Sequence, residues 1–313
     1  MRRYVVFVAV IAGIMLRSGT ELPGAEPITG IGPTGDVEQV QSEFAFTEGP
    51  AWHPQKGILY FTDIPANHIN QLSGGAISVA YEPSNHANGL MVDGEGNLIA
   101  CEMDGTLVLR TAETSDRFVL ADGYQGKRFN APNDLVIDKQ GGIYFTDPRF
   151  RAPEPWPQGT EAFYYRAPDG TVTRLSDDLK APNGIILSPD ESKLYVVPSM
   201  QKEMMVYAVE APGKLGEGRV FCTLKQPAGQ TNSGGDGLTI DQQGNLYITS
   251  GLGIQVYDPA GELLGILEFP EQPANVTFGD ADGKTLYVTA RTSLYRVKLE
   301  SVGHRFPGVV KTE

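Results

Sequence analysis

Six oxygen-bearing residues recur along this chain at near-regular intervals: Glu48, Asn88, Asn133, Asn183, Asp236 and Asn275. They are spaced by 40, 45, 50, 53 and 39 positions. Each leads a short apolar run and is usually followed by a small residue. Asn and Asp are common turn formers, because their side chains bond nearby backbone groups. Glu is a poor one, so Glu48 is the telling member of the set. If all six converge, they offer two carboxylates and four carboxamides, a hard-oxygen donor set suited to a divalent cation. One Ca²⁺ balances two ionised carboxylates. Soft-metal ligation is not suggested, since no His or Cys occupies these positions.

Convergence requires an architecture that places equivalent positions on a ring, and the repeat supplies one. The units read EGPAWHPQKGILYFTD from Glu48, NGLMVDGEGNLIACE from Asn88 and NDLVIDKQGGIYFTD from Asn133. They continue as NGIILSPDESKLYVV from Asn183, DGLTIDQQGNLYITS from Asp236 and NVTFGDADGKTLYVT from Asn275. Every unit is an apolar run, a turn rich in Asp, Gly and Pro, and a second apolar run: a β-hairpin. Hairpins repeating every 40–50 residues indicate the four-stranded blades of a propeller. The prediction is an all-β, six-bladed β-propeller over residues 28–313. Its ring is expected to close where a strand near 40–46 joins strands near 286–299.

Composition narrows the function classes. The chain has 313 residues, 25 Lys plus Arg against 38 Asp plus Glu, and a net charge of −13. Nucleic acid and anionic membranes want basic patches, so neither is an expected partner. The four histidines, His53, His68, His86 and His304, form no H-x-x-x-H pair, which excludes a zincin site. Cys101 and Cys222 sit in strand-like apolar runs and read as small core residues, although an exported chain permits their pairing. Arg2 and Arg3 precede an apolar run from Tyr4 to Leu16, a length that suits a signal peptide better than a membrane span. Residues 1–27 are therefore expected to be a leader, and the mature protein periplasmic or extracellular.

Four short motifs, EGP at Glu48, PND at Pro132–Asp134, PNG at Pro182–Gly184 and GDG at Gly235–Gly237, follow one another at blade spacing. In these the chain resembles the gluconolactonase, or senescence-marker-protein (regucalcin)-like, family over residues 40–300. The segments RFNAPNDLVID and FTDP are most similar to its bacterial gluconolactonase branch. Regucalcin-like members carry an Arg two places before the PND-type Asn. Here that position is Ala131, with Arg128 further back. The resemblance implies one central divalent cation, most often Ca²⁺, with Mg²⁺, Mn²⁺ or Zn²⁺ as alternatives. It implies Glu48, Asn133, Asn183 and Asp236 as ligands, with Asp236 doubling as general base. The expected substrate is a small-molecule lactone such as a sugar lactone. Asn88, Arg128, Asn130 and Glu102 are candidate substrate contacts. Two alternatives stay open on the residues alone: a phosphotriesterase-like hydrolase on the same cage, and a non-catalytic, calcium-stabilised binding propeller. A quinone-dependent sugar dehydrogenase is disfavoured by the scarcity of His.

Overall fold

The computed structural model describes residues 27–312. The leader expected over residues 1–27 lies outside them, Pro27 apart. No helix occurs among the described residues. Strands run up and down within six sheets, five of four strands and one of five, arranged as the blades of a propeller. A two-stranded ribbon, Gly123–Tyr124 with Lys127–Arg128, stands between the second and third blades.

The hairpin turns explain the Asp-rich grammar. Asp93, Asp138 and Asp241 each follow the first strand of a blade. Each carboxylate accepts backbone N–H groups two and four residues on, for example Gln140 N at 2.9 Å and Gly142 N at 2.8 Å for Asp138. This is the side-chain-to-backbone bonding that makes Asp a turn residue.

The first strand of each blade lines the central channel, and the small residue after each leading position is where neighbouring blades touch. Gly89 N donates to Asn133 O at 2.7 Å, Gly184 N to Asp236 O at 3.0 Å and Gly237 N to Ala274 O at 2.8 Å. A buried threonine on the second strand braces the same seams. Thr62 Oγ1 donates to Asn88 O at 3.1 Å, and Thr146 Oγ1 to Asn183 O at 2.7 Å. These bonds hold the leading residues at fixed positions around the ring. Thr62→Val keeps the shape and deletes the donor, leaving a buried carbonyl short of a partner. The expected cost is about 1–2 kcal/mol, read from denaturant midpoints. An unchanged midpoint would remove Thr62 from this bracing role.

Apolar side chains fill the gaps between sheets. One cluster joins Val136 and Tyr144 of the third blade, Ile185 and Tyr195 of the fourth, and Leu238 and Ile248 of the fifth. Cys101 and Cys222 are free, buried thiols in two different clusters, and burial pushes the Cys222 thiol up to about 12.

The sixth blade is built from both ends of the chain. Glu38–Gln41 pairs antiparallel with Ser293–Lys298, beside Thr285–Ala290 and Asn275–Gly279. The chain then passes beneath the ring: Gln242 N donates to Val302 O, His304 N to Ile240 O, Gly94 N to Gly308 O, and Val310 N to Asp93 Oδ2. His304–Pro307 thereby line a cavity of about 310 Å³ in the lower channel.

Candidate active site

A second cavity, of about 390 Å³, opens at the other mouth. Glu48, Asn88, Asn133, Asn183 and Asp236 all line it, brought together from five different blades. Glu48 and Asn88 lie within the strands Thr47–His53 and Ala87–Val92, and Asn183 within Pro182–Leu187. Asn133 and Asp236 stand two residues ahead of Leu135–Ile137 and Leu238–Ile240.

Their hydrogen bonds show which atoms remain available. Glu48 Oε2 accepts Gly49 N at 3.0 Å. Asn183 Nδ2 donates to Asp236 Oδ1 and, at 3.0 Å, to Ser199 Oγ. Asn183 Oδ1, Asp236 Oδ2 and the whole Asn133 carboxamide have no hydrogen-bond partner among the described residues. The Asn88 amide makes only a 3.9 Å contact to Met103 Sδ. Burial raises the Glu48 carboxyl well above its usual range, and the nearby Asp236 and Asp134 carboxylates push it further. Burial also lifts Asp236 to about 6, against the Asn183 hydrogen bond and the distant Arg291 charge. Two enclosed carboxylates without a basic partner are costly as anions, and a hard cation relieves that cost. Among the described residues no three His, Cys, Asp or Glu side chains are grouped to hold a metal. The donors here are two carboxylates completed by carboxamide oxygens, a set that suits a hard cation.

Asn275 stands below this layer, where it lines the lower cavity with Asp134. Its Nδ2 lies 3.5 Å from Asp134 Oδ2, and its side chain also hydrogen-bonds Glu48. It works as a clamp between two carboxylates. Asp134 went unrecognised in the sequence. Its signal is there: the positions after the other leading residues are Gly49, Gly89, Gly184, Gly237 and Val276, and only the third blade places a charged residue in that column. Burial raises Asp134 to about 7, against hydrogen bonds from Leu135 N and Asn275. Ser199, which accepts from Asn183 and donates to Gly235 O at 2.9 Å, was also unforeseen.

Three expected substrate contacts lie elsewhere. Glu102 is enclosed by Arg117, Arg110, Thr106 and Asn85. It ends its strand as Asp63 and Asp147 end theirs, and those two carboxylates brace incoming backbone N–H groups. Asn130 is fully buried and bonds Asp147 O, Thr160 O and Gln158 N. Arg128 folds back on Phe129 O and Asn130 O and covers Gly105. None of the three lines the upper cavity.

The structure is an all-β ring of six blades with an oxygen-lined mouth. Residues 46–292 match the SMP-30/gluconolactonase/LRE-like region, and the chain belongs to that family. It is 32% identical over 293 residues to a gluconolactonase of Zymomonas mobilis, an alignment covering 85% of this chain and 82% of that one. Among solved structures it is similar to a gluconolactonase of Xanthomonas campestris, at 30% identity and a TM-score of 0.77, covering 84% and 89% of the two chains. The calcium-binding protein regucalcin of Agrobacterium tumefaciens shares the fold, at 23% identity and a TM-score of 0.74 over 93% of this chain and 100% of that one. The activity class is lactone hydrolysis.

Proposed function

We propose that the protein hydrolyses a sugar lactone with the help of one divalent cation, most simply Ca²⁺, held by Glu48, Asn133, Asn183 and Asp236. The observation that carries this reading is the convergence of a buried carboxylate, Glu48, a half-buried one, Asp236, and two buried carboxamides with unpartnered oxygens on one cavity. The relatives named gluconolactonase support the substrate class, and the calcium-binding neighbour supports the ion. A bound cation supplies Lewis acidity toward the lactone carbonyl. The protein's own groups do the rest. Asp236, held by Asn183 and lining the same cavity, is placed to take a proton from the attacking water. Asn88, whose amide is nearly unengaged, offers a donor to a substrate oxygen. The leader read in residues 1–27 supports export, where calcium is plentiful.

The test is acid release from glucono-1,5-lactone after chelation, with spontaneous hydrolysis subtracted, while Ca²⁺, Mg²⁺, Mn²⁺ or Zn²⁺ is restored. Metal-restored turnover is the expected result. Full turnover in excess chelator would remove the cation from the reaction.

The raised carboxyls add a pH dependence. Folded, cation-free protein binds protons at Glu48, Asp134 and Asp236 that the unfolded chain releases near pH 4. Their contribution to stability is present in acid and is lost as pH rises through about 6–7. Cation binding needs the ionised forms, so it strengthens over the same window. The rise in melting temperature caused by Ca²⁺ should therefore be small at pH 5 and large at pH 8. An equal rise at both would exclude these carboxylates as the binding groups.

A further inference from the structure

The loop over residues 148–161 reaches from the third blade to the upper cavity. It is fastened at its far end. Gln158 Nε2 donates to Lys127 O, Arg128 O and Tyr124 O at 2.8–3.2 Å, and its Oε1 accepts Arg174 Nη2 at 2.8 Å. Asn130 adds bonds to Thr160 O at 2.8 Å and Gln158 N at 3.1 Å. At the near end Arg149 pairs with Glu161 at 3.7 Å and lies over the Trp156 ring at 5.2 Å. Arg149 is thus engaged in holding the loop.

Arg151, two residues on, is not. It is exposed, lines the cavity, and has no hydrogen-bond or ion-pair partner among the described residues. It is also the only cationic side chain among those lining the cavity. A fastened loop therefore presents a free guanidinium to the same cavity that Glu48, buried, and Asp236, half-buried, also line. A chain of net charge −13 repels anions at long range. An unpaired arginine is what lets such a site accept one, because its planar fork binds carboxylate or phosphate oxygens in pairs. The cavity volume falls within the span of small-molecule sites.

We propose that Arg151 recognises an anionic group, a carboxylate or a phosphate, on the end of the substrate remote from the lactone carbonyl. The preferred substrate is then an acidic sugar lactone over a neutral one. This rests on the lactonase reading of the same cavity, and the test separates the two.

Binding is measured first by calorimetry on the calcium-loaded protein, with ring sugars that hold no lactone bond: glucuronate and glucose 6-phosphate against glucose. Kinetics then compare D-glucaro-1,4-lactone and 6-phosphoglucono-1,5-lactone with glucono-1,5-lactone. The expected result is a preference of about tenfold or more for at least one charged member of each set. The carboxylate and phosphate arms show which anion is read. Arg151→Gln should erase the preference, mainly through KM, and Arg151→Lys should keep part of it. The side chain is exposed and the loop's fastenings are untouched, so a melting temperature near that of the parent is the control. Equal binding of charged and neutral sugars, or a preference that survives Arg151→Gln, overturns the proposal even if every lactone is hydrolysed. Should no lactone turn over while glucuronate still outbinds glucose in an Arg151-dependent way, the anion site stands and the lactonase reading falls.

Discussion

Asp236→Ala should lower kcat/KM for lactone hydrolysis by about 10³-fold or more and weaken cation binding with it. The two losses have different causes, and Asp236→Asn separates them. The Asn keeps one oxygen, which can face a cation in place of Oδ2 while its amide group replaces the oxygen that accepts from Asn183, and it cannot take a proton near neutral pH. If Asp236 is the base, the Asn variant binds Ca²⁺ more weakly yet measurably and stays almost inactive at saturating calcium. Full turnover of Asp236→Asn with metal bound would leave Asp236 as a ligand only. Undiminished calcium affinity in Asp236→Ala would remove it from the cage.

Gly49→Ala should strongly destabilise the ring. Gly49 has φ +44°, and a Cβ there would lie 1.9 Å from Asn88 O and 2.8 Å from Asn88 C. The obstacle is backbone that Thr62 also holds, so it cannot swing aside as a side chain would. Left-handed strain adds to the clash. Together they should cost about 3 kcal/mol or more, lowering the melting temperature by about 6–12 °C for a chain of this size. Because Gly49 N also anchors Glu48 Oε2, calcium affinity should fall as well. Gly57→Ala is the matched control: φ is +64° there, but a Cβ would meet nothing within 4 Å. If Gly49→Ala melts within about 2 °C of Gly57→Ala, the close approach between the first two blades is not holding the ring as described.

The repeat made the architecture readable, because hairpin periodicity is local and each copy restates it. The small residue after each leading position was visible too, and the structure gives its reason: at Gly49, Gly89, Gly184 and Gly237 the next blade arrives within reach of a Cβ. What escaped is non-local. Nothing near Glu102 in the chain announces that Arg117 will cross from an outer strand to neutralise it. Nothing near Asn130 says that Thr160 and Gln158 will return to it after 28–30 residues. Asp134 was quoted within a motif but not weighed, because its meaning lies in comparison with the glycines of the other blades. Outer-strand and loop partners follow no repeat, and so the residues that shape the rim could not be read from periodicity.

The last blade carries a kinetic consequence. Arg296 donates to Glu38 from Nε and Nη2, each at 2.9 Å, across a separation of 258 residues. Closing a loop of that length costs about 5 kcal/mol of chain entropy beyond a constant, and no shorter contact can substitute for it. Ring closure should therefore come late in folding, after the five blades that are contiguous in sequence. The same seam should open first. In native-state hydrogen exchange the amides of residues 38–41 are expected to exchange through a smaller opening than those of Tyr144 or Tyr247, whose strands are paired on both sides within one continuous stretch of chain.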